Sequence, residues 1–464
     1  MPDSKDPART LPPSQASGLF GGHMRSFWRD RVGFLTRQAA LGDVSFFWIG
    51  RQPAYFINHP DHVRDMLVVN AHKFMKGRAL QRAKALFGEG LLTSEGEYHL
   101  RQRRMIQPAF HRARIAEYSR SMVEYAERMS TRWQDGETLD VAKEMMHLTL
   151  QIVAKTLFNA DIADEADEVG AAMTTLVGLF DFLVLPFSEW LEKLPIPQSI
   201  RSKRAIKTLD RVIYGIINER RRSGLDEGDL LSMLLMAQDE ADGSAMTDQQ
   251  VRDEALTLFL AGHETTANAL TWTWYLLSQN ADAEAKLHKE LDRALGEGGN
   301  MSGSECAPRQ LRVPTFADIP DLKYTEAVLA ESMRLYPPAW AIGRLAIEEH
   351  QFGAYNVPRG SLVLASPFIT HRDTRFWENA DKFIPERWER QSVKEAGQKY
   401  IYLPFGGGVR RCIGESFAWT EGVLLLATLA RDWKLQLDPE QRIDVNPQIT
   451  LRPKFGMKMK TSLR

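Results

Sequence analysis

Ten residues near the C-terminus restrict this chain more than any other stretch: Phe405-Gly406-Gly407-Gly408-Val409-Arg410-Arg411-Cys412-Ile413-Gly414. Three consecutive glycines, two arginines and a cysteine stand directly before an apolar helical pattern carried by Phe417, Val423 and Leu426. Glycine has no Cβ, so this backbone can press against a flat macrocycle. A cysteine just ahead of a helix N-terminus receives backbone N–H groups and the positive end of the helix dipole, and both stabilise a thiolate. Arg410 is placed to meet a carboxylate of the same ligand. The plain alternative is a Gly-rich turn around an inert cysteine. A phosphate-cradling loop is excluded, because no Gly-Lys-Ser/Thr follows Gly408. Gly88-Glu89-Gly90 is too weak a signal to define a nucleotide loop.

The chain has 464 residues, 44% of them hydrophobic, which is ample for a large core. Its 59 basic and 60 acidic residues argue against a nucleic-acid partner. Cys306 and Cys412 are the only cysteines, too few for a disulfide framework or a zinc site, and they suit a reducing compartment. Cys306 falls in a Gly- and Ser-rich stretch, 296–308, that reads as a surface loop. The polar N-terminus has no apolar core of signal-peptide length, and residues 1–17 read as a disordered tail before one domain over 18–464. The longest apolar stretch, Leu176 to Phe187, contains Asp181 and is too short to span a bilayer. A soluble, cytoplasmic protein without a transmembrane segment is expected.

Val44 to Asn58 is rich in aromatic and β-branched residues around Gly50 and predicts a hairpin. Helical periodicity then dominates over 97–158, 166–223, 247–294 and 320–336. Extended segments return at 340–366 and in roughly the last thirty residues. The expected fold class is mostly α with small β-sheets, in a single domain.

Leu256 to Leu276 is a long apolar helical run with Ala261-Gly262-His263-Glu264-Thr265-Thr266 in its middle. Gly, Glu and two Thr there lower helix propensity and bury polar atoms. A Thr hydroxyl that turns to a carbonyl one turn back can loosen the ladder and open a groove. An acid beside such a groove could feed protons. For a lone Glu264 a solvated helix face is the plainer reading, and His263 reads as a packing residue.

The cysteine loop resembles the haem-binding signature of the cytochrome P-450 family, matching at Phe405, Gly408, Arg410, Cys412 and Gly414. The resemblance runs from the hairpin to the C-terminal strands, with the motifs in the family's order. It implies the family's fold, with haem b between the oxygen-activating helix and the cysteine-loop helix. It implies Cys412 as axial ligand of the haem iron, with Phe405, Gly406 and Gly414 around the cofactor. Carried over residue by residue, Glu264 and Thr265 become the proton-relay pair, and Ala261 and Gly262 face haem and substrate. His99, Arg103, Arg344 and Arg410 become the cations for the haem carboxylates. Glu331, Arg334 and Arg387 match the family's structural triad.

The implied reaction is insertion of one atom of O2 into an apolar lipid, terpenoid, steroid or polyketide. Electrons come from a separate ferredoxin- or flavodoxin-type donor with its reductase. Pocket walls are expected from Leu86, Phe87, Phe180, Phe182, Leu183, Trp340, Ile342 and Ile449, and Arg78, Arg82 or Lys84 could anchor a carboxylate. Two rival readings are a haem-thiolate peroxygenase or isomerase, and a haem sensor without turnover. The acid–Thr pair counts against both.

Overall fold

Alternating apolar residues from Val44 to Ile57 reverse direction at Gly50, where φ is +62° and glycine carries no steric penalty. The computed structural model describes residues 11–16, 22–162, 165–179, 196–236, 243, 245–296 and 311–464. The hairpin joins β1 (Val44–Ile49) and β2 (Gln52–Ile57), antiparallel with Trp48 opposite Pro53. It belongs to a five-stranded sheet with β3 (Phe74–Lys76), β5 (Ile342–Ala346) and β8 (Leu362–Ala365), in the order β1-β2-β8-β5-β3. Within the stretch read as a tail, the Pro13 carbonyl accepts the Phe46 N–H at 2.9 Å, so residues 11–16 lie along this hairpin.

The helices that build the core are α1 (Gly96–Ile106), α2 (Arg112–Ser130), α3 (Val141–Phe158), α4 (Ala166–Gly178), α5 (Pro197–Ser223), α6 (Leu230–Met236), α7 (Asp248–Gln279), α8 (Ala281–Leu295), α9 (Lys323–Leu335) and α10 (Glu415–Asp432). The continuous pattern read over 97–158 is in fact three helices. Pro108 ends the first, and Gly136, at φ +80°, turns the chain into β4 (Thr138–Asp140). β4 pairs with β12 (Lys458–Leu463), which pairs with β9 (Trp433–Leu437). α6 lies outside the segments read as helical, because a seven-residue run apolar on every side has no period to detect.

α7 starts at a capping box in which Thr247 and Gln250 satisfy each other's backbone N–H groups. It is apolar nearly all round, and a helix of that kind has to be buried. α3 crosses it closely. A Cβ on Gly262 would stand 2.8 Å from Val153 Cγ2, and the Thr149 hydroxyl donates to the His263 carbonyl at 2.9 Å. One apolar cluster runs from Leu86 through Val153, Leu256 and Leu425 to Met459, joining helices from both ends of the chain.

Glu331, Arg334 and Arg387 are joined in one largely buried ion network. Glu331 and Arg334, one turn apart on α9, are both fully buried and doubly bonded, at 3.0 and 2.9 Å. Glu331 also accepts from Arg387 Nε at 2.9 Å and from the Trp388 indole N–H at 3.1 Å. Arg334 also donates to the carbonyls of His371 (2.7 Å), Ala380 (2.6 Å) and Lys382 (2.9 Å). Burial and the Arg334 charge push His371 down to about 3, so its ring stays neutral, and Nε2 accepts the Leu403 N–H at 2.7 Å. The triad thereby reaches the first residues of the cysteine loop. Arg334→Met should lower unfolding free energy by about 3–5 kcal/mol, because it removes one partner of a buried pair. The urea midpoint measures this; an unchanged midpoint would show that the network carries no stability.

Candidate active site

Nearly every residue of α7 is buried, yet Ala261 is exposed and Gly262 and Thr265 are partly so. The Thr265 hydroxyl donates to the Ala261 carbonyl at 2.7 Å, the competition with the helix ladder that a mid-helix Thr makes available. Two contacts at this motif come from other elements of the fold. Gly262 turns its bare side to Val153 of α3, so its missing Cβ serves helix packing. Glu264 does not share the open face with Thr265. It is 1% exposed, with Oε1 accepting from Arg452 Nε at 2.7 Å and from the Thr450 hydroxyl. Its carboxylate is held by the C-terminal segment that carries Thr450 and Arg452.

α10 meets α7 where fully buried Glu421 lies beside the Thr266 hydroxyl, and burial pushes the Glu421 carboxyl up to about 8. Cys412 precedes α10, and its side chain is left partly uncovered by the protein. Its N–H donates to the Phe405 carbonyl at 3.0 Å, closing the loop. Burial pushes the thiol up to about 11, while the Gly414 N–H, Arg103 and Arg411 act to lower it. The loop glycines have separate uses. Gly408, at φ +66°, would put a Cβ 1.9 Å from the Leu67 carbonyl oxygen. Gly406, at φ +68°, has no atom within 4 Å of such a Cβ and leaves its backbone open.

Five basic side chains converge beside this loop. Arg410 donates to the Ser94 carbonyl at 2.9 Å and pairs with Glu95. Arg103 reaches the Arg411 carbonyl at 2.8 Å. Arg344 donates to the Gly343 carbonyl at 3.0 Å, and burial together with Arg410 pushes it down to about 10. His99 is buried with Nε2 unpartnered, and burial and the nearby Arg410 push it down to about 3. Lys76, opposite Arg344 in the β3–β5 register, is pushed down to about 7 by burial and the same arginine.

Glu95 is the carboxylate that enters this group directly. An uncompensated buried cation cluster is costly unless anions join it. The orphaned His99 nitrogen and the surplus of cations fit a ligand with two carboxylates. A thiol near 11 fits a site where a metal deprotonates its own ligand. These residues therefore fit haem: Cys412 would hold the iron, and His99, Arg103, Arg344 and Arg410 would meet the carboxylates.

The expected pocket walls divide. Leu86 and Phe87 belong to the main core, Phe87 being 1% exposed. Trp340 is also core, its indole N–H bonded to the Gln448 carbonyl at 2.9 Å. Ile342 and Ile449 are partly exposed. Phe180, Phe182 and Leu183 lie outside the described residues, as does Cys306. Lys84 pairs with Glu89, and Arg78 is exposed. Sequence reasoning missed Lys76, Glu95, Thr450 and Arg452. Of these only Glu95, just ahead of a helix start, carried a local signal.

The chain belongs to the cytochrome P450 family, whose profile matches residues 24–460. It is 39% identical to cyclooctatin synthase of Streptomyces melanosporofaciens, over 93% of this chain and 91% of the relative. It is 38% identical to cyclooctat-9-en-7-ol 5-monooxygenase of the same organism, over 90% and 88%. Pentalenene oxygenase of Streptomyces avermitilis is 34% identical, over 92% and 91%. The retinoic acid bound cyanobacterial CYP120A1 superposes with a TM-score of 0.84 at 24% identity, over 98% of this chain and all of the other, and shows the same fold.

The chain is accordingly a haem-dependent monooxygenase that uses O2, a redox partner and an apolar substrate. No helix among the described residues is long and apolar enough to cross a membrane. Cys412→Ser should abolish the red-shifted Soret band that carbon monoxide gives with a thiolate-bound ferrous haem, because oxygen lacks the polarisability of sulfur. Retention of that band in the variant would assign the axial ligand elsewhere.

Proposed function

We propose that this chain hydroxylates a polycyclic terpenoid, with Thr265 governing proton delivery. The observation that carries this reading is the open stretch of α7. It presents the Ala261 methyl and the Thr265 hydroxyl, while the Glu264 charge is tied into Arg452. A substrate on that face meets apolar surface and one hydroxyl, which suits a hydrocarbon skeleton. The three Streptomyces relatives carry terpenoid names and support the same substrate class over steroids or polyketides.

Bound haem supplies the activation of dioxygen, with one oxygen atom entering the substrate and the other leaving as water after two electrons and two protons are consumed. The protein's part is to deliver those protons and exclude bulk water. The Thr265 hydroxyl, its own proton committed to the Ala261 carbonyl, is free to accept and orient a water in the cleft. Glu264 and Thr266 flank it, and Glu264 is held by Arg452 and the Thr450 hydroxyl. Thr265→Ala should leave haem content and ligand binding nearly intact. Product formed per reduced nicotinamide consumed should fall about tenfold or more, with hydrogen peroxide released instead. An unchanged ratio would remove Thr265 from proton delivery. Wild-type enzyme that works with peroxide and with no electron donor would favour the peroxygenase reading.

The electron donor we assign is a ferredoxin- or flavodoxin-type protein with its reductase, docking near Arg101, Arg104 and Arg411. Arg104 is exposed, and Arg411 pairs with Glu415 at the surface. Val409, 56% exposed between the loop arginine and the glycines, supplies an apolar contact for such a partner. Charge-steered contacts of this kind weaken with salt. The first electron-transfer rate should fall as ionic strength rises and fall again in Arg104→Glu; stopped-flow rates indifferent to both would place the partner on another face.

A further inference from the structure

Lys76 ends β3 inside the protein, where its ammonium donates to the Leu91 carbonyl at 3.0 Å and to the Leu92 carbonyl. The opposite side of Leu91 is held as well. Its N–H donates to Glu254 Oε2 at 2.9 Å, from the first third of α7. Beside it, Asp253 Oδ2 accepts the Glu89 N–H at 2.9 Å. The glycines of this loop are required by the same contact. A Cβ on Gly88 would stand 2.1 Å from the Asp253 carboxylate, and one on Gly90 would stand 2.2 Å from Thr257 Oγ1. The Gly-Glu-Gly stretch is thus a docking segment on α7.

Glu254, Thr257, Ala261 and Thr265 recur at three- and four-residue spacing, so they form one stripe along α7. Residues 88–92 sit on the first two members, and the last two are the open stretch of the cleft. We propose that Lys76 and Glu254 are positioning residues that together hold the backbone of 88–92 against α7 and so set one end wall of the substrate cleft. The proposal rests on the reading of the Ala261–Thr265 face as the substrate site.

Two further observations fit this role. Lys76 and Glu254 hold the two peptide groups that flank Leu91, one by its carbonyl and the other by its N–H, instead of bonding to each other. Both also carry the cost of burial: Lys76, facing Arg410, Arg344 and Glu95, is pushed down to about 7, and Glu254, beside Asp253, is pushed up to about 8. Apolar residues would fill these positions without that cost, but could not bond the Leu91 carbonyl and N–H.

Hydrogen–deuterium exchange on the haem-loaded enzyme tests the proposal directly. In Lys76→Met and in Glu254→Leu, amides of 88–92 should exchange about tenfold faster, while α2 and α10 keep their protection. Glu254→Gln should stay near wild type, because its amide oxygen still accepts the Leu91 N–H. Phenylimidazole, followed by its Soret shift, should bind and leave faster in the two loosened variants. Unchanged exchange at 88–92 overturns the latch. Faster exchange with unchanged phenylimidazole kinetics overturns the link to the cleft, and leaves the terpenoid reading untouched. Should Lys76→Met fail to load haem, Glu254→Leu decides, since Glu254 stands outside the cation cluster. A loss of protection that spreads equally to α2 and α10 in both variants also overturns it, because the pair would then be holding the fold and not the segment.

Discussion

The buried pair of Glu331 and Arg334 is the constraint on which the site depends. Two opposite charges taken out of water are tolerable only when every remaining donor and acceptor is used. Here Arg334 satisfies three backbone carbonyls of the 371–382 region, and Glu331 accepts from Arg387, Trp388 and the Ile384 N–H. His371 passes this order on to Leu403, and Tyr402 bonds the Ala330 carbonyl at 2.9 Å. The loop that ends at Cys412 therefore begins from a fixed point on α9. A glycine-rich segment has large conformational freedom, so it holds a metal ligand in one place only if its ends are pinned.

The second constraint is electrostatic. His99, Arg103, Arg344, Arg410 and Lys76 crowd one region with Glu95 among them, and the downward shifts at His99, Lys76, Arg344 and Arg410 all include burial and a neighbouring cation. Carboxylates entering this region relieve repulsion as well as forming hydrogen bonds, so cofactor binding and local stability are linked. Lys76 extends the same cluster to the 88–92 segment and, through Leu91, to Glu254 of α7. The thiolate loop, the carboxylate cations and the cleft wall thus share one connected set of polar contacts.

α7 shows how one helix meets conflicting demands. Gly262 admits α3, Thr265 loosens the ladder toward the cleft, and Thr266 faces Glu421. Helical rotation of about 100° per residue sends these neighbours to different partners. A motif of adjacent residues is therefore not a cluster of adjacent functions.

The sequence alone determined the cysteine loop, the hairpin at Gly50, the long apolar helix with its polar interruption, and the Glu331–Arg334 pair. Each is written in local spacing: two-residue alternation for a strand, three- and four-residue repeats for a helix face, and a fixed run of residue types around Cys412. The family resemblance named His99, Arg103, Arg344 and Arg410, which converge beside the loop. Tertiary structure decided which way the acid turns, because Arg452 and Thr450 approach Glu264 from strands nearly two hundred residues away. It decided that Gly262 serves helix crossing, since Val153 comes from another helix. It also gave Lys76 and the Gly88–Gly90 stretch their meaning, as neither has a local signature and both act through α7. Local periodicity follows from backbone geometry within one element. The partner of a buried charge is fixed only when distant elements pack, and desolvation then makes that partner obligatory.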